Sequence, residues 1–215
     1  MRDLLDRHRW VPWAAPFALF IVLTELQQHV AGGVAWIYPL KTILTALLIA
    51  LLWRRVRPEG AWRPGAATLT GLVVLVVWIA PDNLYPHLFT GEVFDPFAQF
   101  SRGAAIAWIA VRLAGAALLV PVVEEVFWRG FIIRWLVKPD FESVPPGTFT
   151  WYSFAATSVL FASEHDRWLV GLAAGVAYNL LWYRTRSLRA CVLAHGVTNL
   201  GLGAWVLATA QWKFW

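Results

Sequence analysis

Two adjacent carboxylates, Glu124 and Glu125, stand inside an apolar run that reads VPVVEEVFWRGFIIRW from Val120 to Trp135. Residues four apart on a helix share a face, so Arg129 can pair with Glu125, while Glu124 is rotated from its neighbour by about 100° and points elsewhere. In lipid such a charge is costly unless it faces the bundle interior or a wet cavity, so Glu124 needs a reason. Two later stretches supply one. FASEH sets Phe161 and His165 four apart, and HGVTN sets His195 and Asn199 on one helix face. Taken singly, each has an ordinary explanation: a structural ion pair, a packed histidine, an interhelical amide. Together they bring two acids, two imidazoles, a guanidinium and an amide to three segments that can converge. That set suits hydrolysis. A partly desolvated Glu124 can act as general base near neutral pH, with His165 sharing its water. His195 and Asn199 carry N–H donors that could hold a developing oxyanion. Ser163 is two residues from His165, on another face. Cys191, four before His195, offers a thiol alternative.

The elements that must position these groups are membrane helices. The chain has 215 residues, 59% apolar and 14% charged, and its uninterrupted apolar runs reach membrane-spanning length. The expected fold class is all-α, a polytopic bundle of about seven spans. They fall near residues 10–30, 34–53, 66–80, 103–137, 149–165, 168–183 and 190–210. Residues 81–102, with three prolines, read as a loop with a short interfacial segment. Pro121 is expected to bend the fourth span about one turn before Glu124. Gly171 and Gly175 have a spacing that permits close helix contact. Glu25, Gln27, Gln28 and His29 read as an interfacial end of the first span. The chain divides into N-terminal spans and loop, 1–103, and catalytic-core spans, 104–215, within one membrane domain.

The net charge of +5 does not point to nucleic acid, because the arginines fall in short clusters between apolar runs, as topology determinants do. With the N-terminus cytoplasmic, Arg2, Arg7, Arg9, Arg54, Arg55, Arg57, Arg63, Arg129, Arg134, Lys138, Arg184, Arg186 and Arg189 lie on the cytoplasmic side or at its edge, 13 of the 18 cationic side chains. Trp10, Trp13, Trp53, Trp62, Trp151, Trp212 and Trp215 sit near run ends, as interfacial belts do. A single cysteine excludes an internal disulfide framework and any CxxC motif.

The three motifs resemble those of the type II CAAX prenyl endopeptidase and bacteriocin-processing (CPBP, or ABI) family of intramembrane proteases, whose pattern is EExxxR, FxxxH and HxxxN or HxxxD. Here it stands as Glu124–Glu125–x–x–x–Arg129, Phe161–x–x–x–His165 and His195–x–x–x–Asn199, in that order, within about residues 104–203. The resemblance implies a glutamate-dependent intramembrane protease. Glu124 and His165 would activate water, His195 and Asn199 would stabilise the oxyanion, Glu125 and Arg129 would be structural or substrate-orienting, and Phe161 would shape the pocket. It implies no cofactor; zinc is the alternative, since two His and a Glu can ligate it with an open fourth position. The substrate would be a membrane-associated peptide or protein in the bilayer, and no nucleic acid is involved. Small size and Trp-rich ends are also similar to a bacterial branch found with exosortase sorting systems, which implies a bacterial inner membrane and a link to protein sorting. Eukaryotic relatives cut a prenylated CAAX tail, but prokaryotes generally lack such substrates, so that activity does not transfer with the family name. Two other classes stay open: a non-catalytic accessory or bacteriocin-immunity protein that keeps the polar cluster for packing, and a proton-coupled transporter, against which the lack of internal repeats counts.

Overall fold

The computed structural model describes residues 7–88 and 93–215. Arg2 of the charge bias and residues 89–92 of the interfacial loop lie outside the described residues. Seven helical rods stand where the apolar runs predict them: α1 Val11–His29, α2 Gly33–Val56, α3 Pro64–Ile79, α5 Arg102–Trp135, α6 Trp151–Ser163, α7 Trp168–Thr185 and α8 Leu188–Thr209. A single turn, α4 Pro96–Gln99, is the short segment of the long loop, and Asp95 caps it by accepting from the Phe97 N–H. There are no strands among the described residues.

Local chemistry sets the rod ends. Prolines occupy the first turns of α1 and α3, where a missing N–H costs nothing. Thr150 and Ser187 cap α6 and α8 by accepting the N–H of Ser153 and Ala190. Arg186, in the left-handed region at φ 52°, ends α7.

Three rods, α2, α5 and α8, are long and apolar enough to cross a bilayer. α6 has 13 residues, about 20 Å against a hydrocarbon core of about 30 Å. The turn that follows it, which carries Glu164 and His165, is covered by the loop after α3: the Leu88 N–H donates to the Asp166 carbonyl and the Trp168 indole to the Pro86 carbonyl. The loop and the turn are thus tied together by backbone and indole hydrogen bonds.

α5 differs from the expected simple bend. A six-residue α segment, Val120–Glu125, is flanked by π-helical turns at Gly115–Leu119 and Val126–Ile132. Pro121 has no N–H to give to the preceding turn, and the backbone there runs in the wider register, with the Val120 N–H bonded to the Gly115 carbonyl. Glu124 and Glu125 therefore project from a helix widened on both sides. α8 packs chiefly on α3, α7 on α6, and α1 on α2, while α8 also crosses α5 at the carboxylates. The α7 glycines make the α6 contact close. A Cβ at Gly175 would lie 3.2 Å from the Ser158 carbonyl oxygen, and one at Gly171 would lie 3.3 Å from Ala162 Cα. Of the tryptophans near run ends, Trp10, Trp53, Trp62 and Trp151 are exposed, whereas Trp212 is buried against Tyr38 and Trp108.

Candidate active site

Arg129 is the centre of a fully buried polar network. Its Nη1 donates to Glu125 Oε1 at 3.1 Å, Nε to Asn179 Oδ1 at 3.0 Å and Nη2 to the Gly175 carbonyl at 3.1 Å. Its guanidinium also lies over the rings of Phe161 and Tyr178. Arg129 therefore belongs to the interior and not to the cytoplasmic edge, where the charge bias would count it. Asn179 is fixed in turn by donating to Ser158 Oγ at 3.0 Å. Tyr178 donates to Thr198 Oγ1 at 2.8 Å and stacks on the His195 ring at 5.1 Å and 20°. Tyr178 and Asn179 are positions that the motifs do not mark; their only sequence signal is a hydroxyl and an amide side by side in the middle of an apolar rod.

Glu125 Oε1 accepts a second hydrogen bond, from His195 Nδ1 at 3.0 Å. That bond places the Nδ1 proton toward Glu125 and turns Nε2 inward, 3.9 Å from Glu124 Oε2. From there His195 can donate into the site only as imidazolium. His165 is held the same way: Nδ1 lies 2.8 Å from the Phe161 carbonyl, which can only accept, so Nε2 keeps its lone pair. Phe161 itself is buried, with its ring against those of His165, His195 and Trp128.

Glu124 is 7% exposed, and its Oε2 is buried with no hydrogen-bond partner. Ligand-type atoms of Glu124, Glu164 and His165 all lie within 4.8 Å of one another. For any triangle of that size one point lies within about 2.8 Å of all three corners, a hydrogen-bond distance. Glu164 occupies an unspecified position of FxxxH, so no motif marks it. Trp128 Nε1 donates to its Oε1 at 2.9 Å. Among the described residues this trio, and not two His with a Glu, is the set within reach of one metal ion. Two carboxylates and an imidazole suit a divalent cation by donor type, and such an ion would supply Lewis-acid polarisation.

Asn199 stands apart from the trio. Its Nδ2 donates at 2.8 Å to the Ala116 carbonyl. In the π register that carbonyl would be bonded by the N–H of residue 121, which is proline, so the amide takes up an acceptor that Pro121 leaves free. Cys191 is fully buried with Sγ 3.8 Å from the Tyr178 carbonyl, and Ser163 bonds the Leu160 carbonyl on an exposed face.

No curated protein and no solved structure matches the chain. A family model does match, over residues 106–201, a stretch that contains all three motifs and every site residue named above, from Glu124 to Asn199. That model describes Rce1-like type II CAAX prenyl endopeptidases, to which the chain is similar over this stretch.

Proposed function

We propose that the protein is an intramembrane endopeptidase in which Glu124 and His165 activate a water against a peptide bond of a membrane-associated protein. The observation that carries this is the approach of Glu124, His165 and His195 from three segments: ligand-type atoms of Glu124 and His165 lie within 4.8 Å of each other, His195 Nε2 lies 3.9 Å from Glu124 Oε2, and that oxygen is buried with no hydrogen-bond partner. Glu124 takes a proton from the water as its oxygen attacks the carbonyl carbon, and His165 Nε2 accepts the water's other hydrogen bond and orients it. His195, held by Glu125, donates from Nε2 to the oxyanion in its imidazolium form. The second N–H of Asn199 is the further donor for that oxygen. Phe161 forms the wall behind both imidazoles, and Glu125 with Arg129 fixes the His195 ring. Activation of water falls to the carboxylate, without a cofactor.

The catalytic core is residues 104–215. The N-terminus faces the cytoplasm of a bacterial inner membrane, on the arginine bias and the family resemblance. The substrate is a peptide or protein already in the bilayer, with protein sorting as its context.

Reconstituted protein offered a library of membrane-anchored fluorogenic peptides tests the assignment. Wild type is expected to cleave some members, and Glu124→Gln to cleave none while melting at nearly the same temperature. Cleavage retained by Glu124→Gln refutes it.

A further inference from the structure

Two cations stand inside the bundle without an anion. Lys41, in α2, is 3% exposed, and its Nζ donates to the Thr24 hydroxyl of α1 at 2.9 Å. Arg112, in α5, has ring contacts alone: its Cζ lies 4.2 Å from the Tyr38 centroid and 5.8 Å from that of Trp215, and its Nε is buried with no hydrogen bond. Lys41 Nζ is 4.8 Å from the same Tyr38 centroid, so two like charges share one ring and repel. Among the described residues neither joins an ion pair. A charge inside a membrane bundle pairs with another or lines the path of something charged. Arg129 follows the first rule, through Glu125; Lys41 and Arg112 do not. Their faces turn them away from lipid. On α5 the exposed positions include Ile106, Ala110, Ala114 and Leu118, whereas Arg112 shares the opposite face with Trp108 and Gly115. On α2, Lys41 lies with Tyr38, Thr45 and Ile49 on the buried face, and the Thr45 hydroxyl is likewise buried without a partner. Arg112 keeps part of its surface open although it faces inward, so its guanidinium has room for a partner. The core behind the pair is that of the candidate active site. Lys41 stands 4.7 Å over the Phe20 ring, Phe20 packs in the cluster that holds Phe161 and Trp78, and the Trp78 ring is 5.3 Å from that of His165.

We infer that Lys41 and Arg112 form an anion subsite that takes a carboxylate of the membrane-bound peptide substrate. The inference rests on the hydrolytic reading above and adds the charge that selects the substrate. Arg112 precedes Glu124 by twelve residues of one rod, about 18 Å, which an extended peptide covers in about five or six residues. The carboxylate therefore belongs about five residues from the scissile bond. It binds in preference to its amide isostere for two reasons. A charge-assisted hydrogen bond is about twice as strong as a neutral one, and an amide leaves both buried cations unbalanced.

Binding and cleavage test it together. Glu124→Gln protein in phosphatidylcholine vesicles is titrated with fluorescent membrane-anchored peptides that carry Glu, or Gln in its place, at each position in turn. At one position about five residues from the bond that wild type cleaves, Glu should bind at least about tenfold tighter than Gln. Wild type should show the same preference in kcat/KM, carried by KM. Lys41→Met and Arg112→Gln should each reduce the Glu-to-Gln ratio to near one, and Arg112→Glu should instead favour Lys at that position. Lys41→Met should melt at or above the wild-type temperature, because it removes a buried charge that has no counter-ion; a large drop would make Lys41 a structural tie to Thr24 and overturn the inference. Three further results overturn it: no position at which Glu is preferred, a preference that survives in both Lys41→Met and Arg112→Gln, or a preference abolished when phosphatidylglycerol replaces phosphatidylcholine, which would assign the cations to a lipid phosphate. Failure here is separable from failure of the hydrolytic reading. Wild type that cleaves without preference for an acid, beside inactive Glu124→Gln, sinks the subsite alone; Glu124→Gln that still cleaves sinks the hydrolytic reading, whatever the peptides' binding shows.

Discussion

Arg129→Met is the perturbation whose size the structure sets most directly. The guanidinium is inaccessible to solvent and makes three hydrogen bonds, to Glu125, Asn179 and the Gly175 carbonyl. Methionine fills much of the volume but satisfies none of these acceptors. Glu125, also inaccessible, keeps only His195 as a partner. Breaking one side of a buried ion pair costs about 3–5 kcal/mol, because the remaining charge stays desolvated. Charge-assisted hydrogen bonds at about 1.5–3 kcal/mol each give a larger gross figure, which relaxation and the His195 contact bring back toward the same range. Against a total stability of about 5–15 kcal/mol that is a large share. Equilibrium unfolding in mixed micelles titrated with dodecyl sulfate should show the loss. The paired variant Glu125→Gln/Arg129→Met removes both charges and should recover about 2 kcal/mol or more of it, a coupling that a double-mutant cycle isolates. A loss below about 1 kcal/mol in the single variant, or a double variant no more stable than the single, would refute the network as the element that holds α5, α7 and α8 together.

Asn199→Ala should lower stability by about 1–3 kcal/mol, because it strips the Ala116 carbonyl of the amide that replaces the missing Pro121 N–H; unchanged unfolding with lost cleavage would leave Asn199 a purely catalytic group. Outside the bilayer, Asp82 joins α3 to the α6–α7 turn and the C-terminal segment through Arg167 and Lys213, both at 2.6 Å. Burial raises its carboxyl pKa, but Lys213 and then Arg167 outweigh that and hold it below the ordinary aspartate value. The contribution is therefore complete above the unfolded value near pH 4 and fades as pH falls through the lower folded value. Melting of wild type should drop more steeply below about pH 4 than that of Asp82→Asn; parallel acid profiles would count against the cluster.

How much of this is legible in the chain follows from what each signal is made of. The rods are legible because apolar runs end where Gly32, Pro58, Pro64 and the basic clusters interrupt them, and hydropathy responds to little else. The pairing of Glu125 with Arg129 is legible because it is local, four residues on one helix. Contacts across the bundle are not local, and a sequence shows them only where a polar residue stands out of place. Asn179 does stand out, in the middle of α7, but nothing in the spacing says that its partner is Arg129, 50 residues earlier. Glu164 is hidden for the opposite reason: beside a helix end, in SEHDR, an acid looks like ordinary surface, and only the Trp128 indole bonded to it shows that it turns toward the site. The π turns are invisible because Pro121 announces a disturbed hydrogen bond without saying whether the helix bends or widens. Widening is what α5 does, and the consequence is chemical: one freed carbonyl claims Asn199, while in the α segment between the π turns two consecutive glutamates serve different partners, Glu125 tied to Arg129 and His195 and Glu124 left facing Glu164 and His165.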